Sequence, residues 1–115
     1  MKMIKKAATM KDEAAAIFKE NKYEEAINKF EECLKLDELN ANYNSTILLN
    51  TAICYSKINK NDLALKALNK AILYNPKYAK AYVKRGEIHL ALEEYNEAIK
   101  DFNEASEHDS TGFNV

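Results

Sequence analysis

The chain has 115 residues, of which 47% are hydrophobic, and this size suits one domain with a modest core. Its net charge of −1 gives no overall reason to bind nucleic acid or an anionic membrane, and no apolar run is long enough to cross a bilayer. Two Gly and one Pro favour a mostly helical chain, while two cysteines are too few for a disulfide framework and favour a reducing, cytoplasmic location.

The first predicted unit, residues 7–40, follows a Lys-rich leader at residues 1–6. Its two helices are predicted at 7–20 and 23–37, and the break between them, NKY, is short enough to make them antiparallel neighbours. The second helix carries a Tyr, then an Ala-Ile pair, then a Phe within NKYEEAINKFEECLKLD. This order of residues recurs later in the chain.

The second predicted unit, residues 45–78, comes after a four-residue insertion, ANYN, which is expected to lengthen the loop before the third helix. Its helices are predicted at 45–58 and 61–74, separated by NKND. Pro76 follows AILYN and ends the second unit, because a helix does not continue through a proline.

The third predicted unit, residues 79–112, has helices at 79–92 and 95–108 and leaves a tail at 113–115. Gly86 indicates a point where a neighbouring helix comes close. Neither helix shows the two-residue alternation of a strand. The second helix has an apolar stripe at i, i+3, i+4 and i+7, made by Tyr95, Ala98, Ile99, Phe102 and Ala105.

Five columns of residues place the three units in one register. In every column the first and second members are 38 residues apart, and the second and third are 34 residues apart. These two intervals identify a 34-residue repeat with four extra residues between the first and second copies. The columns are Ala14/Ala52/Gly86, Ala26/Ala64/Ala98, Ile27/Leu65/Ile99, Phe30/Leu68/Phe102 and Cys33/Ala71/Ala105.

These columns, together with the Asn75-Pro76 pair, resemble the tetratricopeptide repeat (TPR) family over residues 7–112. The resemblance implies an all-α fold in which three helix-turn-helix units stack into a right-handed superhelical solenoid. The first helices of the units then line a concave surface. The aromatic residues expected in the core are Tyr23, Phe30, Tyr82, Tyr95 and Phe102.

No capping helix is expected after the third unit. Terminal repeats usually need a cap with a polar outer face. Without such a cap, Ile99 and Phe102 are expected to leave part of the last helix apolar and uncovered. This predicts weak self-association of the chain through that end.

The register also predicts which side chains line the concave surface, here called the basic groove. They include four lysines and one acid, and this local excess of positive charge predicts an extended, anionic ligand; a chance distribution of surface charge is the alternative. The predicted lining residues are Ala8, Lys11, Ala15, Phe18, Thr46, Leu49, Asn50, Ile53, Ser56, Lys57, Lys80, Val83, Lys84, Glu87 and Ala91.

The stretch KAYVKRGE, residues 80–87, is similar to the carboxylate-clamp subclass of TPR domains, and especially to the TPR modules of J-domain-linked co-chaperones. That subclass holds the Glu-Glu-Val-Asp tail of cytosolic heat-shock chaperones. At Ala15 the chain departs from the subclass, which has Asn there, so the implied clamp lacks one donor. The resemblance implies a clamp of Lys11, Asn50, Lys80 and Lys84, and Lys57 is predicted to bind peptide beside them.

Catalysis is not predicted, because no nucleophile and base pair and no phosphate-binding loop is found. Cys33, Cys54, His89 and His108 lack metal-ligand spacing, so neither a metal nor another cofactor is expected. Nucleic-acid binding would need more positive charge and exposed aromatics, and no membrane partner is predicted. Two functions remain open: a co-chaperone or adaptor module that binds an acidic C-terminal peptide, and a structural scaffold that binds another helix or loop.

Overall fold

The computed structural model describes residues 12–36 and 41–108, and these residues form six helices with no strand among them. The repeat boundaries stay predictions, because several stretches lie outside the described residues. These are the predicted leader at residues 1–6, residues 7–11 and 37–40, and all residues after His108, which include the predicted tail. The predicted all-α fold is confirmed. The helices are α1 (described over 12–19), α2 (Tyr23–Leu36), α3 (Ala41–Lys57), α4 (Asn61–Tyr74), α5 (Ala79–Ala91) and α6 (Tyr95–His108).

The start of α3 corrects one prediction. The segment ANYN was expected to be loop, but the helix begins at Ala41 and includes it. Asn44 and Ser45 are each only 1% exposed, and the Ser45 hydroxyl donates to the backbone oxygen of Ala71 on α4 at 3.2 Å. Because Asn44 is buried and Ser45 is bonded to the neighbouring helix, the added turn is held in helical form, and the insertion extends α3.

Successive helices pack against one another from α2 to α6, and α3 also contacts α5, the first helix of the next pair. The small residues predicted from the repeat lie where helices meet: every Ala of the first two columns is fully buried. Gly86 completes the first of these columns on α5, and a Cβ added to it would lie 2.8 Å from the Phe102 ring on α6. The predicted close approach at Gly86 is therefore confirmed.

In the columns of large apolar residues, the side chains become less buried toward α6. Phe30 and Leu68 are buried, whereas Phe102, in the same column, is half-buried. Tyr95 is 58% exposed and Ile99 57% exposed, so the prediction that Tyr95 is a core residue is wrong. The physical reason is that α6 packs mainly on α5, and its outer face has no further helix against it among the described residues. Self-association through this face stays a prediction.

The turns inside the three units share one backbone conformation. Asn21, Asn59 and Glu93 have φ of 65°, 65° and 62°, and they recur at the two intervals of the repeat. At each turn the next amide donates to a carbonyl five residues earlier, as in Lys60 N to Tyr55 O at 2.8 Å and Glu94 N to His89 O at 2.8 Å. This is the Schellman pattern, whose left-handed position suits Gly or Asn. Glu93 is therefore strained.

Replacing Glu93 with Asn is expected to raise the free energy of unfolding by about 0.5–1 kcal/mol, because Asn tolerates positive φ better than Glu does. Urea unfolding with an unchanged m value measures the gain. The matched reverse variant, Asn59→Glu, should lose a similar amount. Equal stability of Glu93→Asn and the wild type would contradict the strain argument.

Candidate functional site

Two adjacent cavities lie along α3 and α5, on the surface predicted as the basic groove. The first has a volume of about 270 Å³ and a mostly apolar wall with two lysines at its edge. Every lining residue except Ala79 was predicted from the repeat register. The lining residues are Leu49, Ile53, Ala79, Lys80, Val83, Lys84 and Glu87.

The second cavity has a volume of about 310 Å³ and continues toward the ends of the same two helices. It shares Ile53, Lys84 and Glu87 with the first cavity, so the two form one groove. Only Ile88 was not among the predicted lining residues. The remaining lining residues are Ser56, Lys57, Ile88 and Ala91.

The five predicted peptide-binding residues are placed unequally. Lys80 and Lys84 lie one turn apart on α5, and Lys57 ends α3 with an exposed side chain. Asn50 is half-buried on α3, one turn before Ile53 and thus on the groove side of that helix. Lys11 lies outside the described residues. Three lysines of the basic groove therefore line its cavities, with an amide on the adjoining turn.

The departure from the clamp pattern lies on α1. Ala15 is half-buried there, and a methyl group can neither donate nor accept a hydrogen bond. Phe18, one turn later, is half-buried and packs edge-on against the Tyr23 ring with the centroids 5.6 Å apart. Neither residue lines the two cavities, so the placement of Ala15 and Phe18 on the groove stays a prediction.

An ion pair lies within the groove. Lys84 Nζ is 2.8 Å from Glu87 Oε1, and the two side chains are 33% and 51% exposed. At such exposure the pair adds little to folding stability. Its effect is on the groove, where the Glu87 carboxylate offsets part of the positive field of the lysines.

A second polar cluster, which the sequence did not predict, lies between α4, α5 and α6 beside a cavity of about 490 Å³. The Arg85 guanidinium donates to both carboxylate oxygens of Asp101, at 2.9 and 2.7 Å, and to Asn69 Oδ1 at 2.9 Å. The Asp101 side chain is only 5% exposed. The sequence did contain a signal for the burial of Asp101, which lies three residues after the buried Ala98 and therefore on the apolar side of α6. This cluster joins helices and lies outside the basic groove.

The Cys and His residues have structural surroundings. Burial raises the pKa of the Cys54 thiol to about 11, which keeps it protonated at neutral pH, and Cys33 is fully buried. His89 Nδ1 lies 2.8 Å from Glu94 Oε1, and the His108 ring stacks on Tyr82. Within residues 12–36 and 41–108, no group of three or more His, Cys, Asp or Glu could hold a metal, and no helix is long and apolar enough to span a membrane.

A family model described as Tetratricopeptide repeat matches residues 49–111, more than half of the chain. The human protein DnaJ homolog subfamily C member 7 is 29% identical over 101 residues, which cover 88% of this chain and 20% of that protein. The chain spans about a fifth of the length of the curated relatives it matches.

Two solved structures resemble the whole fold. The first TPR of Spaghetti (RPAP3), bound to the HSP90 peptide SRMEEVD, has a TM-score of 0.83 and 31% identity, covering 95% of this chain and 83% of that one. The second TPR domain of human RPAP3, in complex with the HSP70 peptide SGPTIEEVD, has a TM-score of 0.82 and 32% identity, covering 96% and 89%. The predicted stacking of helical pairs into a solenoid is thereby confirmed.

Proposed function

Since the chain belongs to the tetratricopeptide repeat family, as the sequence resemblance predicted, we propose that it is a non-catalytic binding module. Its ligand is the acidic, EEVD-like C-terminal tail of a heat-shock chaperone, and it acts as a cytoplasmic co-chaperone or adaptor. The observation that carries the proposal is the gathering of Lys57, Lys80 and Lys84 around one apolar groove in a chain of net charge −1. The two similar TPR domains that bind EEVD peptides support it.

Each part of the groove has a role in the proposal. Lys80 and Lys84 on α5, Asn50 on α3 and Lys11 donate to the carboxylates at the end of the tail. Charge-assisted bonds of this kind contribute roughly 1.5–3 kcal/mol. Leu49, Ile53 and Val83 bury an aliphatic side chain of the tail. Lys57, at the far end of the second cavity, attracts the acidic residues upstream.

A pair of labelled peptides tests the proposal. One ends in EEVD with a free carboxylate, and the other has the same sequence with an amidated C-terminus. We expect the free acid to bind and the amide to bind at least about tenfold more weakly, because one charge-assisted bond is lost. Equal binding of the two forms, or of neither, would favour the alternative, a structural scaffold that binds another helix or loop.

Ala15→Asn is expected to tighten binding of the free-acid peptide by about 0.5–1.5 kcal/mol, the usual net contribution of one hydrogen bond. The substitution supplies the donor that the clamp pattern has at this position. Titration of both peptides against the variant and the wild type measures the change. The gain should be absent for the amidated peptide. A gain that is equal for both forms would mean that the introduced amide acts on something other than the carboxylate.

A further inference from the structure

The acidic side chain within the basic groove has no part in the clamp. Glu87 lines both cavities, and its carboxylate lies 2.8 Å from the Lys84 ammonium. It is 51% exposed, so a ligand that runs from one cavity into the other passes within reach of it. A groove built only to attract anions would gain nothing from a carboxylate here.

The effect of Glu87 on a ligand depends on the charge that the ligand presents to it. An acidic ligand side chain near Glu87 is repelled, and it must also share Lys84 with the Glu87 carboxylate. A basic side chain at the same place gains an ion pair with Glu87, which leaves Lys84 able to bind the carboxylate at the end of the ligand. Both effects act close to low-dielectric apolar walls formed by Ile53 and Val83, where charges interact more strongly than in bulk water.

We propose that Glu87 determines specificity by selecting a ligand with a basic side chain, Lys or Arg, at the position where it crosses between the two cavities. This inference rests on the proposed function, because it concerns the segment upstream of a bound C-terminal carboxylate. The groove then recognises a mixed tail: acidic at its end, and basic at one point before it. Electrostatic rejection of the wrong ligand is a common route to specificity in charged interfaces.

A charge scan of the ligand tests the proposal. Each peptide has seven residues and ends in Asp with a free carboxylate, and each of the six preceding positions is in turn Lys or Glu. Affinities are measured for the wild type, for Glu87→Gln, and for Glu107→Gln, which removes the same charge from an exposed position on α6 outside both cavities. Gln has nearly the shape of Glu, and circular dichroism checks that each variant is folded.

In the wild type, Glu should bind better than Lys at most positions because of the lysines, but at one position Lys should bind about tenfold better. In Glu87→Gln that preference should fall at least about fivefold, whereas in Glu107→Gln it should remain. No position that prefers Lys, or a preference that persists in Glu87→Gln, would overturn the role of Glu87. If amidated peptides of the series bind as well as the free acids, or none binds, the proposed function itself fails, and the inference fails with it.

Discussion

Replacing Arg85 with Met is expected to lower the free energy of unfolding by about 2–4 kcal/mol. The Asp101 side chain is 5% exposed and receives two hydrogen bonds from Arg85, so the substitution leaves a buried carboxylate without its cation. Breaking a fully buried pair in this way costs about 3–5 kcal/mol. Arg85 itself is 23% exposed, which allows some hydration and places the estimate slightly lower. Thermal unfolding should shift down by about 10 °C or more.

Two further variants separate the ion pair from general effects of substitution. Lys100→Met removes a positive charge from an exposed position on the same side of the molecule and should change stability by no more than about 0.5 kcal/mol. In the double variant Arg85→Met/Asp101→Leu, apolar side chains replace both charges, and most of the lost stability should return. A double variant that is as unstable as Arg85→Met alone would mean that the shape of Arg85, and not its charge, supports the helices.

Much of the fold could be predicted because its repeat fixes which residues must be small. Ala26, Ala64 and Ala98 occupy equivalent contacts between helices, and all three are fully buried. The start of α3 could not be predicted in the same way, because it depends on the burial of Asn44 and on the hydrogen bond from Ser45 to α4. The spacing between the first and second copies shows that four residues are inserted, but a longer loop and a longer helix give the same spacing.

The groove residues that could be predicted are those whose position depends on spacing along a single helix. Lys57, Lys80 and Lys84 follow from helical register alone, since residues three and four apart share a face. The pairing of Arg85 with Asp101 does not, because it joins two helices and requires knowledge of which sides meet. Tyr95 was misplaced for a related reason. Equivalence to Tyr23 holds within the repeat, but Tyr95 is on the last described helix, and no further helix covers it among the described residues.

Lys84→Ala is expected to weaken binding of an acidic C-terminal peptide by about tenfold or more, and Lys80→Ala should have a similar effect. Each variant removes one charge-assisted bond to the ligand, which contributes roughly 1.5–3 kcal/mol. Lys84→Ala also leaves the Glu87 carboxylate without its cation, so repulsion of the acidic ligand increases. Fluorescence anisotropy or calorimetry on a free-acid EEVD peptide measures the loss.

Stability should hardly change in Lys84→Ala, because an ion pair as exposed as that of Lys84 and Glu87 contributes at most about 1 kcal/mol to folding. The wild-type affinity should also fall with added salt, and it should fall less steeply in the variant, which has one fewer cation near the ligand. Lys70→Ala is the matched control, since Lys70 is exposed on α4 and lines neither groove cavity. It should bind the peptide as the wild type does. If Lys84→Ala and Lys70→Ala are equally harmless, the ligand does not bind between α3 and α5, and the lysines there only keep the surface hydrated.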